Sequence, residues 1–216
     1  MNIGILGSGL MGGKLGTIFA RAGHQVAFSY SRSQKKLERL AREAGHGAIA
    51  ATPAEAARNA DALLLAVHWQ RMDDVLEKAG DLKDKVIVSC SLPMNASDTE
   101  LVVAHTSSGA EKLARKVPKA HVVSAFSTVP SEVLFAVFAH RRRAPRPSLV
   151  FCGDNARAKK TAARLIRDVG FSAVDAGSLQ MARNIEPFVL LVAKLAYESD
   201  RGPALAYQWR WFKERK

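Results

Sequence analysis

Cysteine is scarce in this chain of 216 residues: Cys90 and Cys152 are the only two. Isolated thiols inside apolar runs supply neither a disulfide framework nor a metal-ligand set, and they read as buried free thiols. Long hydrophobic runs are also missing. The strongest, FVLLVAKLAY at 188–197, is shorter than the roughly 20 residues a bilayer span requires and is interrupted by Lys194. No transmembrane helix and no membrane partner is therefore expected. The apolar N-terminus has no basic segment of the kind that opens a secretory leader, so a cytoplasmic location is expected. Negative charge is in deficit as well, with 20 Asp and Glu against 32 Lys and Arg and a net charge of +12. That balance favours anionic partners such as nucleotides or a phosphorylated cofactor. No recognised nucleic-acid motif and no aromatic-interleaved basic face accompanies the charge, so a nucleic-acid partner is not expected.

What is present is alternation. NIGIL at 2–6 is a short apolar run ending in glycines, and the next segment carries Leu15, Ile18, Phe19 and Ala22 at helical spacing up to Gly23. QVAFSY (25–30), GAIAAT (47–52), DALLLAV (61–67), KVIVSCS (85–91), HVVSAF (121–126), SLVFCGD (148–154) and FSAVDAG (171–177) read as further strands separated by amphipathic segments. Thr52-Pro53 opens a short helix with proline at its first position. The pattern predicts an α/β fold of Rossmann type, with a doubly wound, mainly parallel sheet. Residues 1–216 form a single domain in this reading, the sheet and its helices over 1–177 and C-terminal helices over 178–216. Those helices, packed at the cofactor site or a dimer contact, are a long one from about Ser178 to Glu198 and, after Gly202-Pro203, a final ALAYQWRWF helix. Tyr207, Trp209, Trp211 and Phe212 are expected to anchor that last helix to the core, with capping of the nicotinamide site or a dimer contact as the alternative. HRRRAPRPS at 140–148 is a loop, because two prolines and four arginines do not fit a packed interior.

Gly7, Gly9 and Gly12 form G-x-G-x-x-G directly between the first strand and the first helix. The first glycine makes the tight turn, the second admits a pyrophosphate, and the third lets the helix pack on the strand. Phosphate oxygens would meet free amides at the helix N-terminus. An NAD site would then present a carboxylate about 20 residues on, at the end of the second strand. Here that position reads Tyr30, Ser31, Arg32, Ser33, with no carboxylate before Glu38. Hydroxyls and a guanidinium suit a ribose phosphate, with Lys36 one helical turn further on, so NADP(H) is the expected cofactor. A solvated basic helix start is the plainer alternative.

These stretches carry a resemblance. GSGLMGGKLG, GHQVAFSYSRS, LLLAVHW (63–69), the block AEKLARKVPKAHVVSAFSTVP (110–130), CGDNARAKK and DAGSLQMARNIEP resemble the NADPH-dependent reductases of coenzyme F420. Those enzymes are related to the cytosolic domain of the STEAP metalloreductases. The resemblance implies a reductase that passes hydride between nicotinamide and a stacked acceptor, coenzyme F420 or a flavin such as FMN or FAD. Such chemistry needs alignment rather than a proton-transfer residue, so no catalytic acid, base or metal ligand is nominated. By position, Gly7, Ser8, Gly9, Leu10, Met11 and Gly12 would hold the pyrophosphate, the Met11 side chain only packing. Ser31, Arg32, Ser33 and Lys36 would hold the ribose phosphate. Val67, His68 and Arg71 would flank the cofactor, and Ser131 and Leu205 would lie near nicotinamide. Ser91 and Leu92 would adjoin it, and Phe126, Ser127 and Thr128 would meet the acceptor. A small-molecule acceptor is the expected partner, and the resemblance together with the apolar 188–197 helix suggests a homodimer.

Several departures concern the acceptor. His68 stands where the family commonly has proline, Ser127 where it often has Asn or His, and the basic 140–148 loop replaces a less charged segment. The same nucleotide domain could also serve a reductase of a small hydroxy acid or imine. Such enzymes usually add a long helical substrate domain with a lysine, and only about 40 residues follow the last strand. A nucleotide sensor without turnover is the other alternative.

Overall fold

The computed structural model describes residues 1–212. Its elements follow in chain order: β1 (Asn2–Leu6), α1 (Leu10–Arg21), β2 (Gln25–Ser29), α2 (Gln34–Ala44), β3 (Ile49–Ala50), α3 (Pro53–Arg58), β4 (Ala62–Leu65) and α4 (Met72–Ala79). Then come β5 (Val86–Ser89), α5 (Gly109–Lys116), β6 (His121–Ser124), α6 (Leu134–Ala139), β7 (Ser148–Gly153), α7 (Ala156–Val169), β8 (Ser172–Asp175) and α8 (Ala182–Tyr197).

The eight strands form one sheet in the order β3-β2-β1-β4-β5-β6-β7-β8. β1 to β6 are parallel, β7 runs antiparallel to β6, and β8 is parallel to β7. The expected α/β doubly wound sheet is thus present. From β1 the chain goes first to β2 and β3 on one side and then returns to β4 on the other. That reversal opens a crevice beyond the carboxyl ends of β1 and β4, where ligands bind in sheets of this kind.

Period-two alternation within wholly apolar strands feeds two cores, as burial on both faces requires. Ala62 and Leu64 of β4, with Val86 and Val88 of β5, face the core beneath α1, α2, α6 and α7. Leu63, Leu65 and Ile87 face the core beneath α3, α4, α5 and α8. Local signals set the helix starts. Thr52 Oγ1 accepts the Glu55 amide while the Glu55 carboxylate accepts the Thr52 amide at 2.8 Å, a reciprocal cap that starts α3 with Pro53 in its first turn. Ser33, Ser108 and Asn155 cap α2, α5 and α7 in the one-sided form.

α8 is fastened to the sheet through α5. Glu186 is buried, and its two carboxylate oxygens accept the amides of Gly109 and Ala110 at 2.8 and 2.9 Å. Beside it, Arg183 grips Glu111 with two bonds of 2.9 and 2.7 Å. On the opposite face, buried His24 meets Asp168 of α7 at 3.0 Å, and burial lowers the pKa of its imidazole.

Two expectations need correction. The ALAYQWRWF segment is not a helix: residues 203–212 run without regular structure. β6 pairs with β7 only at Val123–Gly153 and Ser124–Cys152, which leaves the start of β7 free to bond this tail. The Ser148 amide donates to the Tyr207 carbonyl at 2.7 Å, and the Trp209 amide donates to Ser148 Oγ at 2.9 Å. Backbone pairing thus replaces the helical bonds that local propensity would favour. Tyr207 serves as the expected anchor, edge-on to Phe188, whereas Trp211 and Phe212 are 76% and 90% exposed. The second correction is α6, a six-residue helix in a stretch where the sequence carried no assigned element.

Candidate functional site

The glycine loop is built as its spacing requires, each glycine for a different reason. Gly7 has φ +109, and a Cβ on it would stand 2.3 Å from the Ala66 carbonyl oxygen. A Cβ on Gly12 would stand 1.9 Å from the Gly7 carbonyl oxygen. Gly9 differs, since a Cβ there would meet nothing within 4 Å. It is the N-cap of α1, no side chain caps that helix, and no acidic residue occupies its first turn. Free amides and the positive end of the helix dipole therefore face open space beside Gly9, as an anion requires.

The carboxyl end of β2 abuts this loop. The Ser8 hydroxyl donates to the Ser29 carbonyl at 2.9 Å, and the Ser8 amide reaches the Tyr30 carbonyl at 3.4 Å. Tyr30, at φ 57, turns the chain outward and donates its hydroxyl to Asp74. Burial, with Asp74 as a further cause, pushes the Tyr30 phenol up to about 12. The Tyr30 and Lys78 bonds hold the Asp74 carboxyl below its ordinary range. Arg32 and Ser33 are exposed, and Ser31 and Lys36 are half-exposed. Ser33 Oγ accepts the Lys36 amide at 3.3 Å, so that serine also starts α2. Arg71 stands close enough to Tyr30 and Asp74 to act on both by its charge. It is on the β2 side and does not line the cavity described next.

That cavity, of about 450 Å3, opens beyond the carboxyl ends of β1, β4 and β5, a size typical of small-molecule sites. Gly9, Leu10 and Met11 form one side, Val67, His68 and Trp69 another, and Cys90, Ser91 and Leu92 a third. Ser127, Val129, Pro130, Ser131 and Glu132 close it below, while α8 lays Val189, Leu190, Val192, Ala193 and Tyr197 over it. Three polar contacts set its frame. Ser91 Oγ accepts the Val67 amide at 3.2 Å, Lys14 Nζ donates to Ser131 Oγ at 3.0 Å, and the Tyr197 hydroxyl donates to Glu132 at 2.9 Å. His68 Nδ1 and Asp98 Oδ2 sit 3.6 Å apart, both exposed.

Ser127 is distinct among these groups. It is buried, and its hydroxyl has no hydrogen-bond partner among the described residues. A buried hydroxyl left unsatisfied costs free energy that a ligand can return. The nearby Cys90 thiol is the reverse case: it donates toward the Leu65 carbonyl, and burial pushes it up to about 12. A thiol so poorly ionised is no nucleophile. Among the described residues no group of three or more His, Cys, Asp or Glu could hold a metal ion.

The sequence-nominated residues divide accordingly. Gly9, Leu10, Met11, Val67, His68, Ser91, Leu92, Ser127 and Ser131 line the cavity; Gly7, Ser8 and Gly12 shape the loop behind it. Phe126 does not reach an acceptor: its ring is fully buried against Phe19 at 6.2 Å, in the core below the floor. Thr128 is also turned inward, its hydroxyl taken by Tyr207 at 2.9 Å. Leu205 lies on the non-helical tail and does not line the cavity. The α8 wall and Glu132 carried no nomination. The signal for the wall was the apolar excess of 188–197, too wide for a helix burying one stripe.

Residues 2–93 match the family described as NADP oxidoreductase, coenzyme F420-dependent. Over 188 residues the chain is 31% identical to metalloreductase STEAP3 of Rattus norvegicus, an alignment covering 87% of this chain and 36% of that protein. The chain thus spans about a third of that relative's length. In fold it is similar to a protein of Arthrobacter sp. FB24 assigned as an F420-dependent NADP-reductase, with a TM-score of 0.84 at 23% identity over 97% of this chain and 99% of that one. The hypothetical protein SMa0349 of Sinorhizobium meliloti superposes with a TM-score of 0.75 at 24% identity, over 97% and 96%. A reductive aminase of Aspergillus terreus, solved with NADPH and ethyl-5-oxohexanoate, gives 0.63 at 18% identity, over 88% and 60%. Residues 2–93, with their glycine loop and the strand that follows it, carry the domain of the coenzyme F420-dependent NADP oxidoreductase family.

Proposed function

We propose that the chain binds NADP(H) and passes hydride between it and a flavin-like acceptor, coenzyme F420 or a flavin. The observation that carries this reading is the junction of the open Gly9 amides with a β2 end that offers Ser31, Arg32 and Lys36 and no carboxylate. A ribose phosphate is a dianion, and a guanidinium is its best-matched partner. The nucleotide's nicotinamide would supply the hydride. The chain's own residues bind, orient and exclude water.

Val67, Leu92, Val129 and the α8 side chains give the cavity apolar walls, which favour a planar ring and keep water from the transfer. Hydride transfer between stacked rings depends on alignment, and the Ser91–Val67 and Lys14–Ser131 contacts hold the walls that set it. Ser127 offers its unpaired hydroxyl as the polar contact to a bound ring. The reading extends to a homodimer formed through the α8 face that exposes Leu191 and Leu195; a sedimentation measurement showing only monomers at micromolar concentration would refute that extension.

The decisive experiment is stopped-flow mixing of NADPH-loaded protein with F420, FMN, FAD and ferric chelates in turn. Accelerated NADPH oxidation with a deazaflavin or flavin is expected. Tight NADPH binding with no turnover on any acceptor would overturn the enzymatic reading in favour of a nucleotide sensor.

A further inference from the structure

A second concavity, of about 240 Å3, lies apart from the first, and the two share no lining residue. Its walls come from the end of α6 (Ala136, Val137), the 140–147 loop, and Gly170 after α7. Within the loop, His140, Arg143 and Arg146 line it together with Pro145 and Pro147. From Val133 to Gly153 the sequence holds no Asp or Glu, so the loop has no local counter-charge.

The basic residues of this loop have different duties. His140 Nδ1 lies 2.9 Å from the Ala136 carbonyl, and Arg141 donates to the Phe138 carbonyl at 2.9 Å while stacking on the Phe138 ring at 4.0 Å. Both satisfy carbonyls at the C-terminus of α6, an ordinary structural use of cations. Arg143 and Arg146 make no such bond. Among the described residues neither guanidinium is in an ion pair or a side-chain hydrogen bond. Arg146 is half-exposed and Arg143 exposed, so two guanidiniums without partners stand beside one concavity, and their planar forks match the oxygens of a phosphate.

We propose that this concavity binds the phosphate group of a small phosphorylated molecule, held between Arg143 and Arg146 beside His140. The apolar walls of Ala136, Val137, Pro145 and Pro147 would pack against the remainder of the ligand. A nucleic acid is the poorer fit, because polymer backbones are tracked by a basic stripe rather than received in a pocket.

The test is calorimetric titration of inorganic pyrophosphate into protein already carrying one equivalent of NADP+. One saturable site per chain is expected, at least tenfold weaker in the double variant Arg143→Gln/Arg146→Gln. A second double variant, Arg157→Gln/Lys160→Gln, removes the same charge from exposed positions of α7 and should bind as the unmodified protein does. Arginine Nε–Hε signals of the unmodified protein give a readout free of any folding defect: those of Arg143 and Arg146 should shift together along one saturation curve. The proposal is overturned by equal weakening in both double variants, by absence of a saturable site, or by tighter binding of duplex DNA than of pyrophosphate at the same residues.

Discussion

The Tyr197 hydroxyl donates to Glu132 Oε2 at 2.9 Å, and both residues line the cavity beside the glycine loop. The bond ties the last residue of α8 to the turn after β6, and so fixes the wall that α8 lays over the site. Burial, with Glu132 as a further cause, pushes the Tyr197 phenol up to about 12, which keeps it a donor at any working pH. Removing the hydroxyl in Tyr197→Phe should cost little stability, under about 1 kcal/mol for a contact this exposed. It should raise the acceptor KM about three- to tenfold, the value of one ordinary hydrogen bond, with less effect on NADPH affinity. Steady-state kinetics with each substrate varied in turn checks this; an unchanged acceptor KM would show that the bond does not hold the wall.

Arg32 bears the proposed preference for the phosphorylated nucleotide. It is exposed and makes no hydrogen bond or ion pair among the described residues, so Arg32→Ala should leave the fold intact. NADPH binding should weaken by about 1.5 to 3 kcal/mol, the worth of a charge-assisted contact, while NADH binding hardly changes. Fluorescence titration with both nucleotides is the measurement. Equal weakening would reduce the stretch to a basic helix start.

Which parts of this molecule were legible in the sequence follows from where the governing forces act. The glycine loop, the Thr52 cap and the alternating apolar strands are local, and their residues declare them. The end of β2 could be placed because it lies next to the loop through a strand pairing that the βαβ unit imposes. The acceptor side was read less well because its geometry is long-range. Phe126, Ser127 and Thr128 are consecutive, yet one enters the core, one faces the cavity and one bonds Tyr207, 79 residues away. Backbone at φ 66 on Phe126 breaks the simple alternation. The tail of 203–212 misled for the same reason: its partner is the open start of β7, which exists only once β6 and β7 have paired at their other ends.

The three glycines of the loop separate stability from binding. Gly12→Ala drives a Cβ to 1.9 Å from a backbone oxygen and cannot be relieved by a side-chain rotation. It should destabilise the protein by about 1 to 3 kcal/mol, as overpacking does. Gly9→Ala meets nothing, and Gly9 has φ −77, so the melting temperature should hold. Its new methyl nevertheless enters the space beside the free amides, and NADPH affinity should fall tenfold or more. Thermal melts paired with nucleotide titration distinguish the two. A Gly9→Ala protein that binds NADPH normally would place the pyrophosphate elsewhere.

Glu186 gives the chain a pH dependence of unusual sign for a carboxylate. Burial pushes it up to about 7, although the amides of Gly109 and Ala110 pull the other way. In the unfolded chain a glutamate titrates near 4.3. The folded state therefore holds the proton more tightly, and this group's contribution to stability is full below about 4.3 and is lost as pH rises through about 7. His24 acts oppositely: its lowered pKa removes stability as pH falls below about 6.5. Glu111, neutralised by Arg183, lies beside Glu186. In Glu186→Gln the titration is gone while His24 and Glu111 remain, so the difference between the two proteins isolates Glu186. The variant should be less stable by about 1 to 3 kcal/mol at pH 5, because its amide nitrogen faces a backbone N–H. That gap should narrow as pH rises from 5 to 8. Denaturant unfolding across this range measures it, and a gap that widened toward pH 8 would mean that the two amides, rather than burial, decide the ionisation of Glu186.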